Sequence, residues 1–198
     1  TSIVICLLSG GFVVIIVMMA EYFGHSGALL VRDAAASFGF PPFSGLVSNI
    51  GISLMVATGA ICLFSSFIDR SSNRSIIILA AIFSLVISID DLLMLHEKNG
   101  LLSGVIPEKA IYLAYAVAGA WIGVLLVRRF SILDLVALLV SGSLLFLSLV
   151  ADSLFPQHKA VVLIEDTFKF MGYAVWTYFW IVFCRNTLET NAVPLSDN

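Results

Sequence analysis

The chain has 198 residues, of which 60% are hydrophobic and only 12% charged, with a net charge of −3 and a mean hydropathy of +1.07. Soluble domains hold about 25% charged residues, so this composition leaves too little polar material to coat a water-facing exterior, and the exterior must be lipid. No basic cluster exists to neutralise a run of phosphates, so nucleic acid is not an expected partner.

Six apolar stretches are long enough, at about 20 residues each and 1.5 Å per residue, to cross about 30 Å of hydrocarbon. The first covers 3–23. It lacks a basic leading segment and a small-x-small cleavage site, and it ends in Glu21 and His25, so it reads as a retained span rather than a signal peptide. The connection 24–44 mixes Leu29, Leu30, Val31, Phe38 and Phe40 with Arg32 and Asp33, then breaks at Pro41-Pro42. That mixture predicts an interfacial or re-entrant helix. The remaining spans cover 45–68, 75–95, 110–127, 132–155 and 160–184, and the polar tail 186–198 is expected to be flexible. Without water in the bilayer core, backbone groups must be satisfied within each segment, so these spans are helices. A β-barrel would need short alternating segments, and none is present. The fold class is therefore all-α, a polytopic bundle of six spans forming one domain over 1–185. Cys6, Cys62 and Cys184 lie in apolar runs at spacings that match no zinc or redox motif, and they read as small packing residues.

Lys and Arg in the short loops give the orientation. Arg70, Arg74, Arg128, Arg129 and Arg185 share one side, against Arg32, Lys98, Lys109 and Lys159 on the other, where Asp33, Glu97 and Glu108 dilute them. Both termini are accordingly expected in the cytoplasm of a cell membrane, the inner membrane if the source is bacterial.

Alternation of six spans then gathers the polar residues. Glu21 and His25 end span one. Asp90, Asp91, His96 and Glu97 end span three, Asp152 ends span five, and Glu165, Asp166 and Lys169 open span six. All sit at a similar depth near the non-cytoplasmic face. Ionisable groups inside a span cost about 2.5–3.5 kcal/mol each at the centre and less near the ends, so they are functional candidates by default. Glu21, Lys98, Glu108 and Lys159 can reach the interface by snorkelling; the short, apolar-flanked Asp90, Asp91 and Asp152, with Glu165 and Lys169, cannot do so easily. On a helix extended at about 100° per residue, Asp90 and Glu97 share a face, Asp91 and His96 lie about 140° apart, and Glu165 can bridge to Lys169 at i,i+4.

Carboxylates and imidazoles converging from several helices of a bundle form the ligand set of a metal site for a hard or intermediate divalent cation. The expected ligands are Asp90, His96, Glu97, Asp152 and Asp166. Asp91 and Glu165 are candidates for the general base of a metal-dependent hydrolase acting on a lipid or other small substrate, with Lys169 balancing charge. Without a metal, the same groups suit a proton or cation relay in a transport protein. A third reading is a non-catalytic subunit of a larger membrane complex, docked through Gly119-x-x-x-Gly123. Retinal is not expected, with six spans and crowded acids. Haem is not expected either, since His25, His96 and His158 lie at or beyond the outer interface.

The stretch Asp90-Asp91-Leu92-Leu93-Met94-Leu95-His96-Glu97 and the later Glu165-Asp166-Thr167-Phe168-Lys169-Phe170-Met171-Gly172 resemble a pattern in uncharacterised bacterial multi-spanning membrane proteins. The resemblance covers these two segments and Asp152, and implies no particular activity. A looser similarity links the chain to alkaline-ceramidase-like and progestin/adiponectin-receptor-like membrane hydrolases, which implies a metal near one membrane face. Those proteins use three His with Ser and Asp, and the His-x-x-x-His of their final span is missing here.

Overall fold

The computed structural model describes residues 2–24, 26–27, 37–41, 43–69, 71–95, 105–128, 135–154 and 159–192. They are helical apart from turns and short connections, with no strand among them. The chain divides into two compact units, Thr1–Leu46 and Val47–Asn198.

The first unit holds α1, Ser2–Tyr22. Its surface is apolar, with Leu7, Leu8, Phe12, Ile15 and Met18 all exposed. Gly24 closes it at φ +80, donating its N–H to the Glu21 carbonyl at 3.0 Å, in the left-handed region a glycine occupies without a Cβ penalty. Most of the expected interfacial segment, including Arg32 and Asp33, lies outside the described residues, as does His25.

The second unit contains α2 (Leu46–Ile68) from Val47 onward, α3 (Arg74–Leu93), α4 (Glu108–Val127), α5 (Val136–Leu154) and α6 (Lys159–Ala192). Each is an apolar run free of proline. Pro107 stands just before α4, where its missing N–H costs nothing, and its carbonyl receives the Ala110 N–H at 2.8 Å. Between α2 and α3, the buried Asp69 accepts the Ser71 N–H at 2.8 Å and the Ser71 hydroxyl at 2.9 Å, which folds the chain back. Among the described residues, three helices, α2, α3 and α4, are long and apolar enough to cross a membrane. In α1 and α5 the unbroken apolar stretches whose side chains are described are Leu7–Tyr22 and Val136–Ala151.

The core is built on α6. Its buried residues Tyr173, Trp176, Thr177, Phe179, Trp180, Phe183 and Cys184 form one face. Against it α2 contributes Met55 and Cys62, α3 contributes Ile76, Ile77, Ala80 and Ala81, α4 contributes Ile122 and Leu126, and α5 contributes Leu138. Trp176, Phe179, Trp180 and Phe183 interlock edge-on or tilted at centroid distances of 5.2–5.9 Å. A helix that packs against protein in this way can carry Tyr, Trp, Thr and Lys where a lipid-facing span carries aliphatics. That is the physical reason α6 falls outside the group of three despite its length.

Close helix approaches occur where a side chain is missing. A Cβ on Gly59 of α2 would sit 2.6 Å from Leu85 Cγ of α3. One on Gly172 of α6 would sit 2.7 Å from Leu145 of α5, whose neighbour Ser141 donates to the Gly172 carbonyl at 2.9 Å. Buried hydroxyls join the helices elsewhere. Thr58 and Thr177 lie 2.8 Å apart, and the Trp176 indole donates to Ser84 at 2.9 Å.

Two helix ends differ from expectation. The run 75–95 stops as a helix at Leu93, because Met94 takes a left-handed φ of 48 and the N–H groups of Met94 and Leu95 both turn back to the Asp90 carbonyl. At the other end, α6 continues to Ala192 through residues expected to be loose. Thr187 is buried there, Thr190 donates to the Asn186 carbonyl at 2.8 Å, and Arg185 pairs with Glu189 at 3.3 Å.

Candidate functional site

Asp90 and Asp91 occupy the last helical turn of α3, one residue apart and therefore about 100° apart around its axis. That angle sends them to different neighbours. Asp91 turns to α6, where Lys169 Nζ lies 2.7 Å from its Oδ1 and the Tyr173 hydroxyl donates to its Oδ2 at 2.6 Å. Asp90 turns towards α4, where Tyr115 hydrogen-bonds to its carboxyl. Tyr115 is also close enough to feel the charge of Asp91. Two carboxylates, one ammonium and two phenols from three helices thus make one cluster.

The cluster is poorly solvated. Asp90 is 2% exposed, and the Asp91 side chain 6%, against 28% for Lys169. Lys169 and Tyr173 are four residues apart on α6, so one face of that helix presents both donors to one carboxylate. The Tyr173 ring reaches its place because α2 carries Gly51 there; a Cβ on Gly51 would meet Tyr173 Cδ2 at 3.2 Å. A narrow cleft opens beside the ion pair, lined by Val47, Ser48, Asp91, Asp166, Lys169 and Tyr173. With about 10 Å³ of room it is of the order of one water.

The expected site residues fall as follows. Asp91 and Lys169 are bonded to each other, across helices; the expectation had paired Lys169 along its own helix with Glu165. Glu165 is half-buried on α6, and Asp166 is exposed and borders the cleft. Asp90 is buried beside Tyr115. His96 and Glu97 lie outside the described residues, and of Asp152 only the backbone, within α5, is described. The shared face assigned to Asp90 and Glu97 assumed a helix running to Leu95; the helix ends at Leu93 with Met94 left-handed, and Glu97 lies outside the described residues. Among the described residues, no three His, Cys, Asp or Glu side chains come together to hold a metal ion.

Tyr115 and Tyr173 were not singled out from the sequence. The spacing Lys169-x-x-x-Tyr173 was a usable signal, since a phenol one turn from an embedded lysine can share its partner. For Tyr115, mid-helix in an apolar run, the sequence holds no comparable signal.

Of the small residues considered for docking, Gly119 faces Phe83 of α3, 3.5 Å from where its Cβ would lie, while a Cβ on Gly123 would meet nothing within 4 Å.

Compared with curated proteins and with solved structures, the chain matches none. A family model described as "Domain of unknown function (DUF8692)" matches residues 6–183, nearly the whole chain, and the protein belongs to that family.

Proposed function

We propose that the protein is a six-span membrane protein, with both termini cytoplasmic, that exchanges a proton or small cation at the Asp90–Asp91–Lys169 cluster near the non-cytoplasmic face. The observation that carries this reading is the bond of Lys169 Nζ to Asp91 Oδ1 at 2.7 Å, made inside the bundle beside a second buried acid. Fully ionised, two carboxylates and one ammonium leave one net negative charge where water is scarce. A proton or a small cation completes the balance, and its arrival or loss changes which partner Lys169 holds. Tyr173 and Tyr115 give each carboxyl a neutral hydrogen-bond partner through either state.

The tethered ammonium of Lys169 also supplies the positive charge for which a divalent metal was invoked. With both Asp91 oxygens engaged, a metal-dependent hydrolase would be left with Glu165 as its general base and would draw its ligands from Asp90, His96, Glu97, Asp152 and Asp166. Gradient experiments and metal content separate the two readings. In vesicles containing the purified protein and a pH-sensitive dye, an imposed potential or sodium gradient should drive a dye response that D91N and K169M abolish. Wild-type vesicles that stay silent under both gradients would sink the exchange reading. A stoichiometric divalent metal in the purified protein, lost in D152A, would favour the hydrolase.

A further inference from the structure

The bundle has a second buried cluster at the end away from Asp91. Cys62 of α2 and Cys184 of α6 are both buried, with their sulfurs 3.8 Å apart. Cys184 also hydrogen-bonds to Ser65, and Asp69 lies close enough to act on it electrostatically. A groove of about 470 Å³ opens on the adjoining turns, lined by Ser71, Asn73, Phe179, Phe183, Asn186 and Thr187. Phe183 directly precedes Cys184, Thr187 lies one turn beyond it, and Ser71 is bonded to Asp69. The groove is thus lined by residues that neighbour the pair in sequence, while Cys62 and Cys184 themselves are 0% and 2% exposed.

We propose that Cys62 and Cys184 are a redox modification site, a thiol pair that a small hydroperoxide converts to a disulfide bridging α2 and α6. Bonding needs the sulfurs to close by about 1.8 Å, from 3.8 Å to a bond of about 2.05 Å. In the first step one thiolate attacks a peroxide oxygen. The O–O bond breaks, sulfur becomes a sulfenic acid, and the departing oxygen takes a proton and leaves as water from hydrogen peroxide, or as the alcohol from an alkyl hydroperoxide. In the second step the other thiolate attacks the sulfenic sulfur, the S–O bond breaks, and water leaves. Two electrons pass from the two sulfurs to the peroxide, and two thiols become one disulfide. The bridge ties the helix carrying Lys169 to α2 at the far end of the bundle. Thiol reductants of the dithiol class reverse it.

The inference is independent of ion exchange at Asp91 and is tested without it. The purified protein in detergent is treated with hydrogen peroxide or, in parallel, with diamide, then denatured and alkylated with maleimide. Of the three cysteines, only Cys6 should then remain reactive, and mass spectrometry should find the Cys62 and Cys184 peptides joined and lighter by two hydrogens. Dithiothreitol should restore all three thiols. The C62S and C184S variants, checked for helical content and size, should each keep two reactive thiols after either oxidant. Three reactive thiols in the oxidised wild type, a link through Cys6, or a link between two chains would each overturn the proposal.

Discussion

At the scale of single residues, the decisive feature is that Asp91 spends both oxygens on α6. Replacing Lys169 with Met leaves a carboxylate 6% exposed with one neutral partner. Breaking a buried pair from one side costs about 3 kcal/mol. We expect K169M to lose roughly that stability in a denaturant titration, and D91N/K169M to lose much less than the two single variants summed, because the double change removes both charges. The Y173F variant, which deletes one bond to a charged acceptor, should lose about 1.5 kcal/mol and keep the ion pair. Asp91 and Lys169 were legible in the sequence because charges inside apolar runs are expensive. Tyr115 was not, since a tyrosine inside an apolar run announces no partner, and Tyr173 was signalled only by its place one turn from Lys169.

At the scale of helices, packing is set by absent side chains. In G59V new atoms would enter the space of Leu85, with the Ala81 carbonyl 3.3 Å from the Cβ position. Overpacking of this kind costs about 2 kcal/mol, which would lower the melting temperature. G123A, where a Cβ meets nothing within 4 Å, should leave it unchanged. If G123A destabilises as much as G59V, these close contacts are not what holds α2 to α3. Hydrophobic runs announced most of the helices, because length and apolarity are local properties. Their ends were less legible. A left-handed Met94 with no glycine to mark it, and a tail kept helical by Thr187 and an Arg185–Glu189 pair, depend on tertiary surroundings.

At the scale of the whole molecule, two polar ends are separated by one membrane's worth of helix. Asn73 caps the start of α3 and Asp91 lies in its last turn, a rise of about 27 Å at 1.5 Å per residue step. Single cysteines introduced into a cysteine-free background test the arrangement with a membrane-impermeant maleimide on whole cells. D166C should label from outside, and N73C and N186C only after permeabilisation; labelling of all three from one side would overturn the topology. That Asp91 and Asp166, from distant segments, border one cleft agrees with the expectation from the alternation of spans for those two residues. The central place of α6 was not legible in the sequence, because its Trp, Tyr and Thr positions resemble those of a weak span until their neighbours are known. This has a consequence for synthesis. Of the described helices, α6 leaves the ribosome after the other five and is the least apolar, so α2 to α5 lack the face they pack on until it has been made. A nascent chain halted before residue 159 would hold Asp91 without its lysine, a defect that membrane proteases could recognise and clear.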